Sequence, residues 1–401
     1  RPLAAHETPA ENTALSSATG TIIEKAAAWV DAASMEDERA AIAALVDWEG
    51  ESQDAAERLH AALDVIETRD ADAAALLDPK AVEAYFRARY GKQVKLSSFT
   101  QLLGGRSKQT ALLTLEGAAE LPAELVIRRD QSAQTMTGSI AQEYPVLEVV
   151  YAAGVAVPKP ILLETSLAPL GKPFAVLGRV HGSSLATHFD VPSEPQVAFD
   201  LAEQLARLHA IPASRFAGMF AEVPLVDSID RRGEQLQQMR EQWRHLVKTP
   251  SITMSAAFRW LEDNLDCAEG EMSLVHGDLG FHNMMVAGDR FVALLDWETA
   301  HIDHPAGDLG YLRPAIEKVV PWRDFFERYL AAGGRRVTPR QVHFFGMWEI
   351  LRIDIALRHC RLLFETGATG DPMLGEVGAY YVPRFVQRIS QHLRRALHDA
   401  D

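Results

Sequence analysis

Between residues 93 and 181 short apolar runs alternate with polar turns that carry much of the local Gly. "VKLSSFTQLLGG", "QTALLTLEG" and "AELVIRRD" predict three strands, the first two paired as a hairpin. "AQEYPVLEVVYAAG" then predicts a helix, and "PKPILLE" and "PFAVLGRV" predict two further strands. Five strands with one helix after the third make a small antiparallel sheet with a helix packed on it. Proline is tolerated only in the first turn of a helix, so Pro145 predicts a helix that starts near Gln142 or kinks.

The segments on either side follow a helical period. In "TIIEKAAAWVDAASMEDERAAIAALVDW", Ile22, Ile23, Ala26, Trp29 and Val30 share one stripe. Helices are expected at roughly 20–33, 36–48 and 51–68, with a shorter one at 79–90. After "HGSSLA" the chain is again mainly helical. In "EPQVAFDLAEQLARLHAI", Val197, Leu201, Leu205 and Leu208 recur at helical spacing, whereas "FVALLDW" predicts a strand. The pattern gives an α+β chain in four parts. Residues 1–20, small and polar, are expected to be disordered. Residues 21–92 form a helical extension suited to packing or to a homodimer, 93–181 a sheet lobe, and 182–401 a helical lobe.

Composition changes this picture little. The net charge is −15, but residues 1–90 alone hold 18 acidic and 8 basic side chains, so most of the acidity belongs to the extension. No basic footprint for nucleic acid and no polybasic membrane patch is present. No apolar run reaches the length of a membrane span. Two cysteines, Cys267 and Cys360, cannot build a disulfide framework, which suits the cytoplasm. The first residue is Arg1 rather than Met, consistent with further residues upstream.

The candidate chemistry lies in "LVHGDLGFHNMMV" and in "FVALLDWE", which begins thirteen residues past Asp278. A hairpin carrying Asp278 and Asn283 on its loop and Asp296 on its far strand would converge three oxygen side chains. Such a set suits a hard cation such as Mg²⁺, which keeps coordination sites for phosphates, and a further carboxylate can orient a hydroxyl and accept its proton. A rival set, His276, Asp278, His282, His301, Asp303, His304 and Asp308, would suit a zinc or two-metal hydrolase, but its spacing fits no zincin motif.

"HGDLGFHN" followed by "LLDWE" resembles the catalytic and metal-binding loops of the aminoglycoside phosphotransferase family, a branch of the protein-kinase-like bilobal fold. The resemblance covers roughly residues 93–401. It implies that Asp278 is the catalytic carboxylate, that Asn283 and Asp296 are Mg²⁺ ligands, that His276 positions the loop, and that Asp308 is a buried structural anchor. Gly104, Gly105 and Ser107 resemble the phosphate loop, with Lys108 where the family has Asn. Arg128 stands where the third strand normally ends in the phosphate-gripping Lys, and Glu143 matches its partner acid. Pro145 bears on that pair, and Lys108 could instead supply the charge. The backbone of Leu177 to Val180 matches the linker that meets the purine base, with ATP and GTP both open as donors.

"VIRR", "EYPVLE", "GVAVPKPILL" and "DLGYL" are most similar to the branch related to kinase domains attached to some acyl-CoA dehydrogenases. That resemblance implies a small-molecule O-kinase acting on hydroxyacyl thioesters or hydroxy acids. Arg352, Arg358, Arg361, Arg384 and Arg388 on the C-terminal helices are natural partners for such acids, though solvated helix faces would account for them too. An aminoglycoside or macrolide antibiotic kinase is the nearest alternative. A nucleotide-binding scaffold without catalysis is an alternative of another class.

Overall fold

The structure, a computed structural model, describes residues 76–102, 108–130, 138–184, 191–220, 226–247, 251–368 and 372–398. The helices expected at 20–33, 36–48 and 51–68, and the expected disorder of residues 1–20, lie outside the described residues. In chain order the elements are α1 (Pro79–Tyr90), β1 (Lys95–Leu102), β2 (Lys108–Glu116), β3 (Glu124–Asp130), α2 (Ile140–Ala152), β4 (Pro160–Glu164), β5 (Phe174–Gly178) and α3 (Pro195–Ala210). They continue with β6 (Val226–Asp227), α4 (Ile229–Leu246), α5 (Ile252–Asp263), β7 (Gly270–Glu271), β8 (Ser273–Val275), β9 (Met284–Ala287), β10 (Arg290–Leu294) and β11 (His301–Asp303). The last four are α6 (Ala306–Ile316), α7 (Trp322–Ala331), α8 (Pro339–Glu365) and α9 (Pro372–His398). Two compact units arise, one from the described residues within 68–227 and 270–342, the other from those within 228–269 and 343–401. The lobe boundary expected at 181/182 falls inside the first unit.

Strands β1 to β5 form one antiparallel sheet in the order β1-β2-β3-β5-β4. Along β2 the burial alternates, so Ala111, Leu113 and Leu115 point into the core beside Leu125, Ile127, Phe174 and Val176. Helix α1 closes that core with Val82 and Phe86, although the sequence pattern groups it with the extension. Its ends are well signalled. Asp78 caps the first turn through the Lys80 amide, Pro79 is the first helical residue, and Gly91 ends the helix at a φ of 112°.

Helix α2 begins at Ile140, two residues before the position that Pro145 suggested. The reason is a capping box: Ser139 Oγ accepts from the Ala141 amide, and Gln142 Oε1 accepts from the Ser139 amide. Pro145 therefore sits inside the helix and omits one backbone bond without ending it. Tyr144, Val146, Leu147 and Val150 bury the helix face that holds it in place.

In the same unit, α3 turns Val197, Leu201, Leu205 and Leu208 inward. The hairpin β9–β10 pairs Met284 with Leu294, and β8 pairs with β11. The second unit packs helices around aromatic rings, including Trp243 on Phe258 and Trp260 on Phe344. Buried Arg232 lies 4.5 Å from the Trp348 ring. Among the described residues no helix is long and apolar enough to cross a membrane.

Candidate active site

The segment "HGDLGFHN" is irregular backbone between β8 and β9, and a buried carboxylate shapes its first turn. Asp308, near the start of α6, accepts the His276 amide at 2.8 Å through Oδ2 and the Gly277 amide at 3.1 Å through Oδ1. His209 Nε2, from α3, lies 3.2 Å from the same Oδ2, and its Nδ1 lies 3.0 Å from Tyr329 Oη. Burial alone would raise the Asp308 carboxyl, but the hydrogen bond and charge of His209, with His276, hold it below the usual carboxylate range. Tyr329 is pushed well above the ordinary phenol range, chiefly by burial.

His276 is fully buried and donates through Nε2 to the Leu295 carbonyl at 2.9 Å, with its ring against Trp297. Gly277 has a φ of 77°, and a Cβ there would lie 2.5 Å from the Thr299 carbonyl oxygen. Gly277→Ala is therefore expected to destabilise the protein by about 2 kcal/mol and to lower its urea midpoint, whereas an unchanged midpoint would mean that the turn yields.

From this turn Asp278 projects as a half-buried carboxylate. Tyr311 Oη donates to its Oδ1 at 3.1 Å, and Asn283 Nδ2 donates to its Oδ2 at 3.2 Å and to its backbone carbonyl at 3.0 Å. His282 Nε2 lies 3.5 Å from Oδ2. Asn283 closes a short 3₁₀ turn directly before β9, and Asp296 lies two residues beyond β10. Leu294 pairs with Met284, and the Leu295 amide donates to the Asn283 carbonyl at 2.8 Å, so Asn283 and the residue before Asp296 are bonded at the open end of the hairpin. This differs from the expected placement on a hairpin loop: Asp278 and Asn283 lie on the connection into the hairpin, and its turn is at Gly288–Asp289. Asp296 has a φ of 61°, the only positive value at a non-Gly residue among the described residues.

The donor set fits a hard divalent cation. Asn283 spends its amide nitrogen on Asp278, which leaves its oxygen as the ligand atom, and Asp296 adds a carboxylate.

On the sheet side Arg128 reaches both elements. Nη1 donates to Glu143 Oε1 at 2.6 Å, and Nη2 donates to Asp296 Oδ1 at 2.9 Å. Burial would lower the Arg128 guanidinium, but Glu143 and Asp296 outweigh it and hold the charge firmly. Pro145 does not disturb the pair, because the capped start of α2 already presents Glu143. Lys108, almost fully buried, donates through Nζ to the Gly138 carbonyl at 2.8 Å and to Glu298 Oε2 at 3.2 Å, with Asp130 Oδ1 at 3.6 Å. It thus ties β2 to the start of α2 and to the segment after β10. Gly104, Gly105 and Ser107 lie outside the described residues.

Of the linker residues, Leu177 sits within the ladder between β3 and β4, the Gly178 amide donates to the Lys159 carbonyl, and the Arg179 amide donates to the Glu124 carbonyl. The backbone of Val180 has no such partner among the described residues.

Sequence reasoning missed Tyr311 and Glu298 as contacts of the site, and His209 and Tyr329 beneath it. Tyr311 carried a usable signal, since it follows Asp308 by three residues in "GDLGYL" and so shares its helical face. The rival metal set is not gathered at the loop. His301 Nδ1 bonds to the Thr299 carbonyl, the His304 amide donates to Asp303, and His304 Nδ1 accepts the Ala306 amide. In the second unit Arg352, Arg358 and Arg361 pair along their own helix with Glu349, Asp354 and Glu365, and Arg388 lies over Phe385.

Comparison with known proteins bears on the family and the fold. Residues 98–345 match the model of a family described as "Phosphotransferase enzyme family". Acyl-CoA dehydrogenase family member 11 of Gallus gallus is 28% identical over 223 residues, 53% of this chain and 27% of the relative. The Rattus norvegicus protein of the same name is 25% identical over 255 residues, 59% and 31% of the two chains. The chain therefore spans under a third of the length of these curated relatives. Among solved structures, one from Ralstonia eutropha JMP134, named for the aminoglycoside phosphotransferases, superposes with a TM-score of 0.58 at 20% identity, covering 80% of this chain and 99% of that one. Aminoglycoside phosphotransferase APH(4)-Ia, in a ternary complex with AMP-PNP and hygromycin B, superposes at 0.52 with 18% identity, covering 78% and 98%. The fold is thus the kinase-like α+β fold of these enzymes.

Proposed function

The chain belongs to the phosphotransferase enzyme family, and from that premise we propose that it moves the γ-phosphate of Mg-ATP to a hydroxyl of a small hydroxylated acid or its coenzyme A thioester. One observation carries the catalytic part: Asn283 Nδ2 donates to Asp278 Oδ2 at 3.2 Å, and the amide of Leu295, next to Asp296, donates to the Asn283 carbonyl at 2.8 Å, which joins the two chain segments that bear the three residues.

Asp278 accepts the proton of the acceptor hydroxyl as its oxygen bonds to phosphorus. Asn283 and Asp296 hold Mg²⁺, which when bound neutralises charge on the phosphates. Arg128 stays on Glu143 through Nη1 while Nη2, now on Asp296, is the arm that can turn to phosphate oxygen. A guanidinium offers phosphate a bidentate fork, so the exchange of Lys for Arg keeps the task with a different geometry. Lys108 holds Glu298 beside this arm. Val180 offers its backbone to the base, and structural neighbours with AMP-PNP or ADP bound favour adenine over guanine.

The acceptor class rests on the relatives named as acyl-CoA dehydrogenase family member 11. An antibiotic acceptor is the second reading, favoured by the neighbour solved with hygromycin B. The test is transfer from Mg-ATP and Mg-GTP to a panel of 4-hydroxyacyl-CoAs, hydroxy acids, aminoglycosides and macrolides. Transfer to a hydroxyacyl-CoA or hydroxy acid that stops on addition of EDTA is the expected result. Transfer only to an antibiotic would replace the acceptor class, and failure to bind any Mg-nucleotide would end the kinase reading.

A further inference from the structure

We infer that Tyr311 is a positioning residue of the reaction: its hydroxyl fixes the carboxylate of Asp278, which makes helix α6 the template on which the catalytic loop is set. The inference rests on the reading of Asp278 as the proton acceptor. Asp308 and Tyr311 are three residues apart on α6 and so lie on one helical face. Both are buried. Asp308 binds the loop through two backbone amides, and Tyr311 binds the side chain that those amides launch, with Oη donating to Asp278 Oδ1 at 3.1 Å. Asn283 grips the other oxygen, Oδ2, at 3.2 Å from the opposite end of the loop. Rotation of the carboxylate about its Cβ–Cγ bond therefore breaks two hydrogen bonds contributed by two different elements.

The chemistry of the donor matters. In the transfer step the acceptor oxygen forms its bond to phosphorus, the bridging P–O bond breaks with its electron pair going to the nucleoside diphosphate, and the acceptor proton passes to the Asp278 carboxylate. A phenol can hold that carboxylate in plane without adding a cation that would compete with Mg²⁺ or neutralise the base. Tyr311 itself gains and loses no proton in the step.

The test combines a kinetic and a thermodynamic readout. Tyr311→Phe removes one oxygen from a buried site and keeps the ring. With ADP release from Mg-ATP measured with water and with the acceptor panel, kcat should fall about tenfold while the KM for Mg-ATP stays within about twofold. A residue that only supported the fold would move the melting temperature without this split. In urea unfolding, Tyr311→Phe and Asp278→Ala should be non-additive, because each removes the same hydrogen bond. Turnover that Asp278→Asn abolishes but Tyr311→Phe leaves unchanged would overturn the positioning role alone, and additive unfolding free energies would overturn the contact. A wild-type protein without any Asp278-dependent turnover would overturn the reading of Asp278, and this inference with it.

Discussion

Asp278→Asn is expected to lower phosphoryl transfer by about 10³-fold, within the range for loss of a positioned general base, while leaving the affinity for Mg-AMP-PNP nearly unchanged. The asymmetry follows from where the side chain sits. Asp278 touches Tyr311, Asn283 and His282, all on the loop and helix that launch it. The groups proposed for the nucleotide, Arg128 with Glu143, Lys108 and the backbone of Val180, belong to the sheet and its linker. Asparagine keeps the size of the side chain and can still accept from Tyr311 or Asn283, but it cannot take up the acceptor's proton. Single-turnover transfer and calorimetric titration with the nucleotide analogue check the two halves, and a melting curve checks the fold. A scaffold that binds nucleotide without catalysis predicts no change in either measurement. Loss of nucleotide affinity along with transfer would mean that the Asp278 loop reaches the phosphates directly.

The parts of this arrangement that were legible in the sequence are local. Strands β1 to β5 and helix α1 follow from alternation, turn residues and caps within a few positions of each element. The start of α2 is set by the Ser139–Gln142 capping box rather than by Pro145, because the box decides the first turn. The loop around Asp278 was legible because its residues lie within seven positions of one another. The bonds that set its geometry were not. Tyr311 lies 33 residues from Asp278, His209 lies 99 from Asp308, and Lys108 lies 190 from Glu298. Such pairs leave no periodic trace in the chain, since each needs only one suitable side chain that the fold brings near. The Arg-rich pattern of α8 overstated the availability of its guanidinium groups for the opposite reason, since their partners are local. Arg352, Arg358 and Arg361 each find an acid three or four residues away on the same helix.

Asp308→Asn is expected to destabilise the protein by about 3 kcal/mol at neutral pH, the largest loss of stability foreseen at this site. The carboxylate accepts three hydrogen bonds, from the His276 amide, the Gly277 amide and His209 Nε2. In asparagine one of the two oxygens becomes an NH₂ group. Whichever way the amide turns, a donor then faces a backbone N–H that water cannot reach, so a buried polar clash replaces a charge-assisted bond. The loss should also depend on pH in a defined direction. The folded pKa of Asp308 is lowered: burial raises it, but the bond and charge of His209 and the contribution of His276 more than offset this. A lowered carboxyl pKa gives stability that is fully present above the unfolded value of about 3.9 and disappears as pH falls through the lower folded value. Urea unfolding of both proteins should therefore show a constant difference from neutral pH down to about pH 5 and a narrowing one below about pH 4. A difference that widens toward acid would mean that the native carboxyl is already protonated. In that case the His276 and Gly277 amides would face a neutral acid, and the charge that holds the first turn of the loop would have to come from elsewhere.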